Sequence, residues 1–427
     1  MVGSQTNWPK AAATRRQVLK TGTAATFLAM APGVLRAQGR AIKIGLVTPA
    51  TGPLAIFAEP DAFVLAEFKK AVAGGIKVGN QSHAVEVIVK DSQSNPNRAA
   101  EVANELINSK VDLMVVAHTP DTVNPVADAC EVNEVPCVST DAPWQPYFFG
   151  RKGDPKKGFK WTYHFFWGAE ALISTFINLY DDLQTNHIVG ALWPNDSDGN
   201  AFSDKAHGMP PILEKRGYKV VNTGSFDPFA ENFTSQITAF KSAGVEIVTS
   251  VLPPPTFANF WTQAAQQGFK PKCVTPGKSA EFPAAVKALG PLGKNIGIEV
   301  WWSPYHPFSS HLTGQSSAQL AAAYAKASNK TWTMPLGFKH ALFEVAADVL
   351  KRSKALEPDA IRQAIAATSY QSIVGSVQWK KGPVPNVSTT PLVGGQWQAG
   401  KGGELELRIV NNKDAPNIKT NGKMLPL

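Results

Sequence analysis

Two short loops hold the side chains best suited to gripping a small solute. His118-Thr119-Pro120-Asp121-Thr122 follows an apolar run at 112–116 (DLMVV), and Ser139-Thr140-Asp141-Ala142-Pro143-Trp144 follows another at 135–139 (VPCVS). The hydroxyls of Thr119, Ser139 and Thr140 and the backbone N–H of Asp141 can donate to an oxygen or an anion, with added field where a helix begins. Asp141 contributes a carboxyl whose competing use is to cap a helix or turn. A third segment, Thr275-Pro276-Gly277-Lys278-Ser279, carries a lysine that attracts an anionic group if buried and recognises nothing if it points into solvent. Trp144, Trp161, Trp167, Trp193, Trp301 and Trp302 all fall on loops or strand ends. An aromatic there stacks on a flat ligand or cages a cation. Trp144 and Trp193, each following a strand at its carboxyl end, are the two expected to touch solute.

Catalytic patterns are missing. There is no Gly-x-Ser-x-Gly elbow, no His-Glu-x-x-His, no glycine-rich phosphate loop and no dinucleotide fingerprint, so an enzyme is not expected and no cofactor is implied. His306 and His311 share a Pro/Ser-rich loop, and no Cys/His spacing matches a zinc site, so no metal is expected. Three cysteines exclude a disulfide framework; Cys130 and Cys137 leave room for one bridge, the alternative being three small buried hydrophobes.

The elements that must position these groups alternate. Strand-like runs at 41–48, 85–90, 112–116 and 135–139 are separated by helical stretches at 55–73, 97–109 and 122–132, which implies an open, doubly wound parallel sheet. The alternation pauses through 141–161 and restarts with strands at 187–193, 219–221, 245–251 and 272–275 and helices at 199–216, 232–243 and 256–267. After a strand at 296–302 come helices at 315–327, 337–354 and 358–367, then β-prone runs at 376–379, 393–398 and 405–411. The fold class is α/β with two lobes, and the place for a ligand is the cleft at the carboxyl ends of their strands.

The start of the chain carries an address. Thr14-Arg15-Arg16-Gln17-Val18-Leu19-Lys20, a weakly apolar run and Leu35-Arg36-Ala37 resemble a twin-arginine export signal cleaved near Ala37, which implies the periplasm. The apolar run is about fifteen residues, short of the roughly 20 needed to span a bilayer. Residues 1–37 hold Lys10, Arg15, Arg16, Lys20 and Arg36 and no acid, so their removal takes the net charge from +9 to +4. No Lys/Arg-rich run remains to track phosphates, and nucleic acid is not an expected partner.

Ile42-Lys43-Ile44-Gly45-Leu46-Val47-Thr48-Pro49, then Thr51-Gly52-Pro53-Leu54-Ala55, Val135-Pro136-Cys137-Val138-Ser139, the lone Gly199 and Leu405-Glu406-Leu407-Arg408-Ile409-Val410 give residues 41–427 a resemblance to the periplasmic leucine/isoleucine/valine-binding proteins. These are the type I solute receptors of ABC importers. The resemblance implies two Rossmann-like lobes joined by three crossings, near 165–167, 300–303 and 372–379. Lobe 1 would hold 41–165 plus about 302–372, and lobe 2 would hold 166–301 plus about 373–427. It implies a monomeric protein that closes on a small organic solute (amino acid, amide or aromatic acid) and presents it to an inner-membrane permease with a cytoplasmic ATPase. A ligand-sensing receptor of the same fold, uncoupled from transport, is the alternative.

In such relatives the loops after the third and fourth strands hold a ligand carboxylate, and an acid on the second lobe holds the ammonium. Here Pro143, which has no N–H, stands where relatives place a threonine, and Lys278 stands close to the expected acid. Phe57 matches the family's aromatic wall, while the second-lobe tyrosine aligns with Asn195-Asp196-Ser197-Asp198. These departures count against ordinary α-amino-acid recognition. The expected binding set is Phe57, His118, Thr119, Ser139, Thr140, Asp141, Ala142, Trp144, Trp193, Asp198 and Lys278.

Overall fold

The computed structural model describes residues 39–400 and 402–427; the expected export signal at 1–37 lies outside the described residues. The first sheet grows from β1 (Gly39–Thr48), whose last five residues are buried on both faces, the mark of a parallel strand covered by helices on each side. β2 (Ile76–Val78), β3 (Gln81–Asp91), β4 (Leu113–Ala117), β5 (Cys137–Thr140) and β6 (Thr162–Phe165) complete its main part, with only the β2–β3 pair antiparallel. Strand order reverses at β1, which has β3 on one side and β4 on the other. The crevice above such a reversal is where open α/β sheets bind ligands.

The second half repeats the plan with β7 (Ile188–Leu192), β8 (Lys219–Asn222), β9 (Ile247–Ser250) and β10 (Cys273–Pro276), ordered β10-β9-β7-β8 and parallel throughout. Its reversal falls at β7, between β8 and β9. β11 (Gly297–Val300) opens a separate antiparallel sheet.

Helix starts follow local chemistry. Pro96 opens the helix Pro96–Asn108, and the Asn95 side chain accepts the N–H groups of Asn97 and Arg98. Val102, Ala103 and Leu106 then turn inward. Two stretches expected as single helices are broken. Residues 55–73 split at Glu59-Pro60 into a 3₁₀ turn, Ala55–Ala58, and the helix Asp61–Ala71, because Pro60 supplies no N–H to carry the ladder across. Residues 199–216 split into Ser197–Phe202 and Met209–Lys215, the second restarting on Pro210 after Gly208. The pause at 141–161 hides a further short helix, Trp144–Phe148.

The chain leaves the first sheet after Phe165 and enters the helix Ala169–Asp181, which packs on β11. It returns after β11 through Trp301 and Trp302 to the helices Ser317–Ser328 and Met334–Arg352, the latter lying on β4 and β5. The third crossing differs from expectation. β12 (Ser369–Ser372) and β13 (Gly375–Gln378) form a hairpin against Met334–Arg352, and β14 (Val387–Ser388) pairs with β6 on the first sheet. Only at β15 (Val393–Ala399), paired with β11 and with β16 (Leu405–Asn411), has the chain joined the other half. The crossing therefore lies at 389–392 and not at 372–379. A four-residue β-run shows no sign of which sheet it will join, and β14 contributes only two residues.

Cys130, Cys137 and Cys273 are buried and free, so the possible Cys130–Cys137 bridge is not formed.

The return from β11 is packed without slack. A Cβ placed on Gly337 would come within 2.2 Å of Cγ of the fully buried Trp302. A Gly337→Ala protein should therefore lose roughly 1–3 kcal/mol of stability from overpacking, despite alanine's better helix propensity. A melting temperature equal to or above that of the parent in a calorimetric comparison would show that the indole can retreat.

Candidate functional site

Loops from both halves meet above the two strand reversals and enclose a cavity. The first half supplies Phe57 beyond β1, Thr119 beyond β4, and Asp141 and Pro143 beyond β5; the first crossing supplies Phe166 and Trp167. From the second half come Leu172, Asp198, Phe202, Val251, Lys278, Glu281, Glu299 and, at the second crossing, Trp301. The cavity is narrow, with a volume of about 30 Å³.

The halves touch around it. Phe57 meets Phe282 edge to face, centroids 4.7 Å apart, and Ser197 Oγ donates to Asp121 Oδ1 at 2.5 Å while the Ser197 N–H reaches the same oxygen at 3.3 Å.

Backbone conformation aims two of the polar groups. Asp141 and Lys278, each just past the end of a parallel strand, have φ of 66° and 70°. Non-glycine residues avoid this left-handed region, at roughly 1–2 kcal/mol each, unless surroundings impose it. Both side chains are thereby turned into the cavity wall.

Of the expected binding set, the structure brings Phe57, Thr119, Asp141, Asp198 and Lys278 to the cavity. The rest lie elsewhere. His118 sits behind Phe57, its ring edge-on at 5.1 Å, and its Nδ1 bonds with Thr122. Burial, then the charges of Lys339 and Lys278, hold its pKa well below the ordinary value, so it is neutral. Two of the three expected hydroxyl donors, Ser139 and Thr140, are already engaged. Ser139 Oγ lies 2.8 Å from His164 Nδ1, Thr140 Oγ1 donates to the Phe165 carbonyl at 2.7 Å, and the Ala142 carbonyl takes the His164 Nε2 proton at 2.7 Å. Trp193 is core, 2 % exposed. Trp144 opens its helix facing away from the cavity and gives its indole N–H to Glu170 at 2.9 Å, in a separate surface groove with Phe149 and Asn200.

Trp167 and Trp301 are the indoles that line the cavity, whereas the expected pair, Trp144 and Trp193, lies outside its lining. The available signal was the crossings themselves, since each of these tryptophans lies where the chain passes between halves. Glu281 and Glu299 were also missed. An ionisable residue inside the apolar strand β11, where Glu299 is 1 % exposed, was the clue to the second of them.

The charges do not balance. Lys278 Nζ bonds Asp198 Oδ2 at 2.9 Å and Asp196 Oδ2 at 3.1 Å, so its charge is spent within the protein. Burial opposes its ionisation, but Asp196 and Asp198 outweigh that and raise its pKa. Burial pushes Asp198 up to about 6, against the pull of Lys278. Asp141 goes up to about 7 through burial, although Lys339 pulls the other way. Glu299 is raised to about 7, chiefly by burial, and Glu281 well above the ordinary carboxyl range by burial and the neighbouring Glu299. Both Asp141 oxygens, Glu281 Oε2, Glu299 Oε2, Thr119 Oγ1 and the indole nitrogens of Trp167 and Trp301 are buried without a hydrogen-bond partner. Orphaned polar atoms in such number are rare in protein interiors.

The family model described as "Periplasmic binding protein" matches residues 41–401. Among solved structures, a leucine binding protein, LivK, from Thermotoga maritima MSB8 superposes with a TM-score of 0.71 at 17 % identity, covering 87 % of this chain and 99 % of its own. A solute binding protein of an ABC transporter from Rhodopseudomonas palustris BisB5, in complex with 3,4-dihydroxy benzoic acid, gives 0.71 at 18 % identity over 90 % and 99 % of the two chains. A fatty acid ABC transporter substrate-binding protein from Thermomonospora curvata gives 0.70 at 16 % identity over 91 % and 96 %. Identities this low establish the fold alone.

Raised carboxyl pKa values make a prediction about stability. Asp141 keeps in the fold a proton that the unfolded chain releases near pH 4, so its contribution falls as pH rises from about 4 through about 7. Buried His118, His164, His306 and His340, all with lowered pKa, act in the opposite sense below about pH 6.5. The clean comparison is therefore between the parent and Asp141→Asn at each pH. The variant's melting temperature relative to the parent should climb from pH 4 to about pH 7 and then level off. A difference that stays constant with pH would mean that Asp141 ionises freely.

Proposed function

Because the chain belongs to the periplasmic binding protein family, we propose that it captures a small organic solute between its halves and presents the closed form to an ABC permease. The observation that carries this reading is the cavity at the carboxyl ends of two parallel sheets, walled from both sides and bordered by chain crossings. Rotation about those crossings opens and closes the cleft, in the manner of hinged clamps. The moving lobes are 41–165 with about 303–388, and about 169–300 with 393–427. Capture begins on the first lobe at Thr119 and Asp141, and closure brings up Asp198, Lys278 and the Phe57–Phe282 contact. The protein works outside the cytoplasm as a monomer, exported through Arg15-Arg16. Leucine, dihydroxybenzoate and fatty acid in the names of similar structures span chemistries too different to assign a ligand by likeness.

Protein lacking residues 1–37, unfolded and refolded to strip carried-over solute, is the material for the test. Free ligand at about 100 times its dissociation constant stabilises the native state by roughly 2.7 kcal/mol, a readable thermal shift. One solute class should give that shift together with a change in tryptophan fluorescence, since Trp167 and Trp301 line the cavity. Silence across amines, amino acids, amides, sugars, and aromatic and aliphatic acids would sink the reading.

Asp121 and Ser197 hydrogen-bond across the cleft without lining the cavity. Asp121→Ala should weaken ligand binding by roughly tenfold, because it removes a charge-assisted bond made between the halves. Unchanged affinity in a fluorescence titration would mean that the contact persists when the cleft opens.

A further inference from the structure

We propose that the solute is a small organic cation without a carboxylate, its charged nitrogen held by Asp141, Glu281 and Glu299 and its body lying against Phe57, Trp167 and Trp301. This deepens the solute-binding reading and rests on it.

Among the described residues that line the cavity, four are acids (Asp141, Asp198, Glu281, Glu299) and one is a base, Lys278. Lys278 is already held by two carboxylates, Asp196 and Asp198. That leaves Asp141, Glu281 and Glu299 facing the cavity with no cation on its wall to neutralise them. Lys339, whose charge acts on Asp141, is committed to Asp61 at 2.5 Å and to Thr48 at 3.3 Å, and His118 is neutral.

These acids are built into the cavity wall. All three are at most 5 % exposed and each has at least one oxygen without a hydrogen-bond partner. Removing a carboxylate from water without compensation is strongly unfavourable. A ligand ammonium, amidinium or quaternary nitrogen restores the missing partner, and the raised carboxyl pKa values fall again as it binds.

A ligand carboxylate would find few donors here: the Thr140 hydroxyl and one face of Ser139 are spent on their own sheet and Pro143 has no N–H, so the Thr119 hydroxyl and the Trp167 and Trp301 indole N–H groups are what remains at the cavity. Asp141 would stand against such a group. The walls suit a cation better: Phe166 stacks obliquely on Trp167 at 4.7 Å and meets Trp301 edge to face at 5.1 Å, a continuous aromatic surface beside the acids. Ring faces of this kind attract organic cations, most strongly when water is excluded.

A neutral amide or urea is the sharpest competitor, because protonated Asp141 or Glu281 can donate to a carbonyl. The two differ in the sign of their pH dependence. A cation displaces protons from the carboxyls and binds more tightly as pH rises from about 6 to about 8. A neutral acceptor held by protonated carboxyls binds less tightly over the same range. The groups that set this response are Asp141, Glu281 and Glu299, with Asp61, Lys339, His118, Asp198 and Lys278 facing them.

The test is a thermal-shift and calorimetric comparison of tetramethylammonium, choline, putrescine and methylguanidine with neopentyl alcohol, acetamide, urea, leucine and benzoate. The expected result is binding confined to one or more of the cations and tighter at pH 8 than at pH 6. Asp141→Asn and Glu281→Gln, each checked for folding by its melting curve, should each weaken that binding at least about tenfold. A shift given by leucine, benzoate or the neutral solutes and by none of the cations would overturn the assignment and leave the solute-binding reading standing. Cation binding insensitive to both substitutions would also overturn it. No shift from any of the three classes would overturn the cation assignment, and the solute-binding reading would then be decided by the wider panel that includes sugars and aliphatic acids.

Discussion

Lys278 holds its ammonium between Asp196 and Asp198, at 3.1 and 2.9 Å, where water scarcely reaches. This triad ties the loop that begins the helix Ser197–Phe202 to the turn after β10, so it shapes the second half's contribution to the cleft. It also decides the cavity's electrostatics. Had Lys278 been free, the site would present a cation to the solute; paired twice, it presents none. A buried ion pair is weak evidence for stability, because desolvation offsets much of the attraction. Here its effect is to leave the remaining carboxyls in control.

Those carboxyls are held away from water by packing that the cleft shares with the rest of the fold. Trp301 is both cavity wall and core residue, stacked edge to face on Phe338 of the helix Met334–Arg352, and its neighbour Trp302 presses on Gly337 of that helix. Lys339 on the same helix reaches Asp61 and Thr48 at the carboxyl end of β1. One helix therefore supports the second crossing, closes the end of the central strand and supplies the positive charge that acts on Asp141.

Much of the fold was legible in local pattern. The runs at β1, β4 and β5 are short and apolar, the helices between them carry recognisable starts such as Asn95-Pro96, and four such units admit few topologies. Of the departures from that pattern, two were set locally and the third by tertiary pairing. Pro60 broke one helix and the Gly208 region another, both visible in hindsight as punctuation. The two residues of β14 joined the first sheet only because β6 offered an open edge. The third crossing moved with them.

The expected loops supply Thr119, Asp141 and Lys278 to the cavity, while Ser139, Thr140 and Trp144 of the same loops lie outside its lining. Residue types and spacing alone determined a two-lobed α/β chain with binding groups at strand ends, an acid at Asp141 and a base at Lys278 beside them. Tertiary structure decided which groups are free to act. Ser139 and Thr140 turned out to be spent on neighbouring strands, Lys278 to be neutralised from a loop some eighty residues away, and Glu281, Glu299, Trp167 and Trp301 to converge on one cavity. The reason is physical. Periodicity encodes burial along one element, whereas hydrogen-bond pairing, desolvation and net charge in a cleft depend on which distant elements the fold brings together.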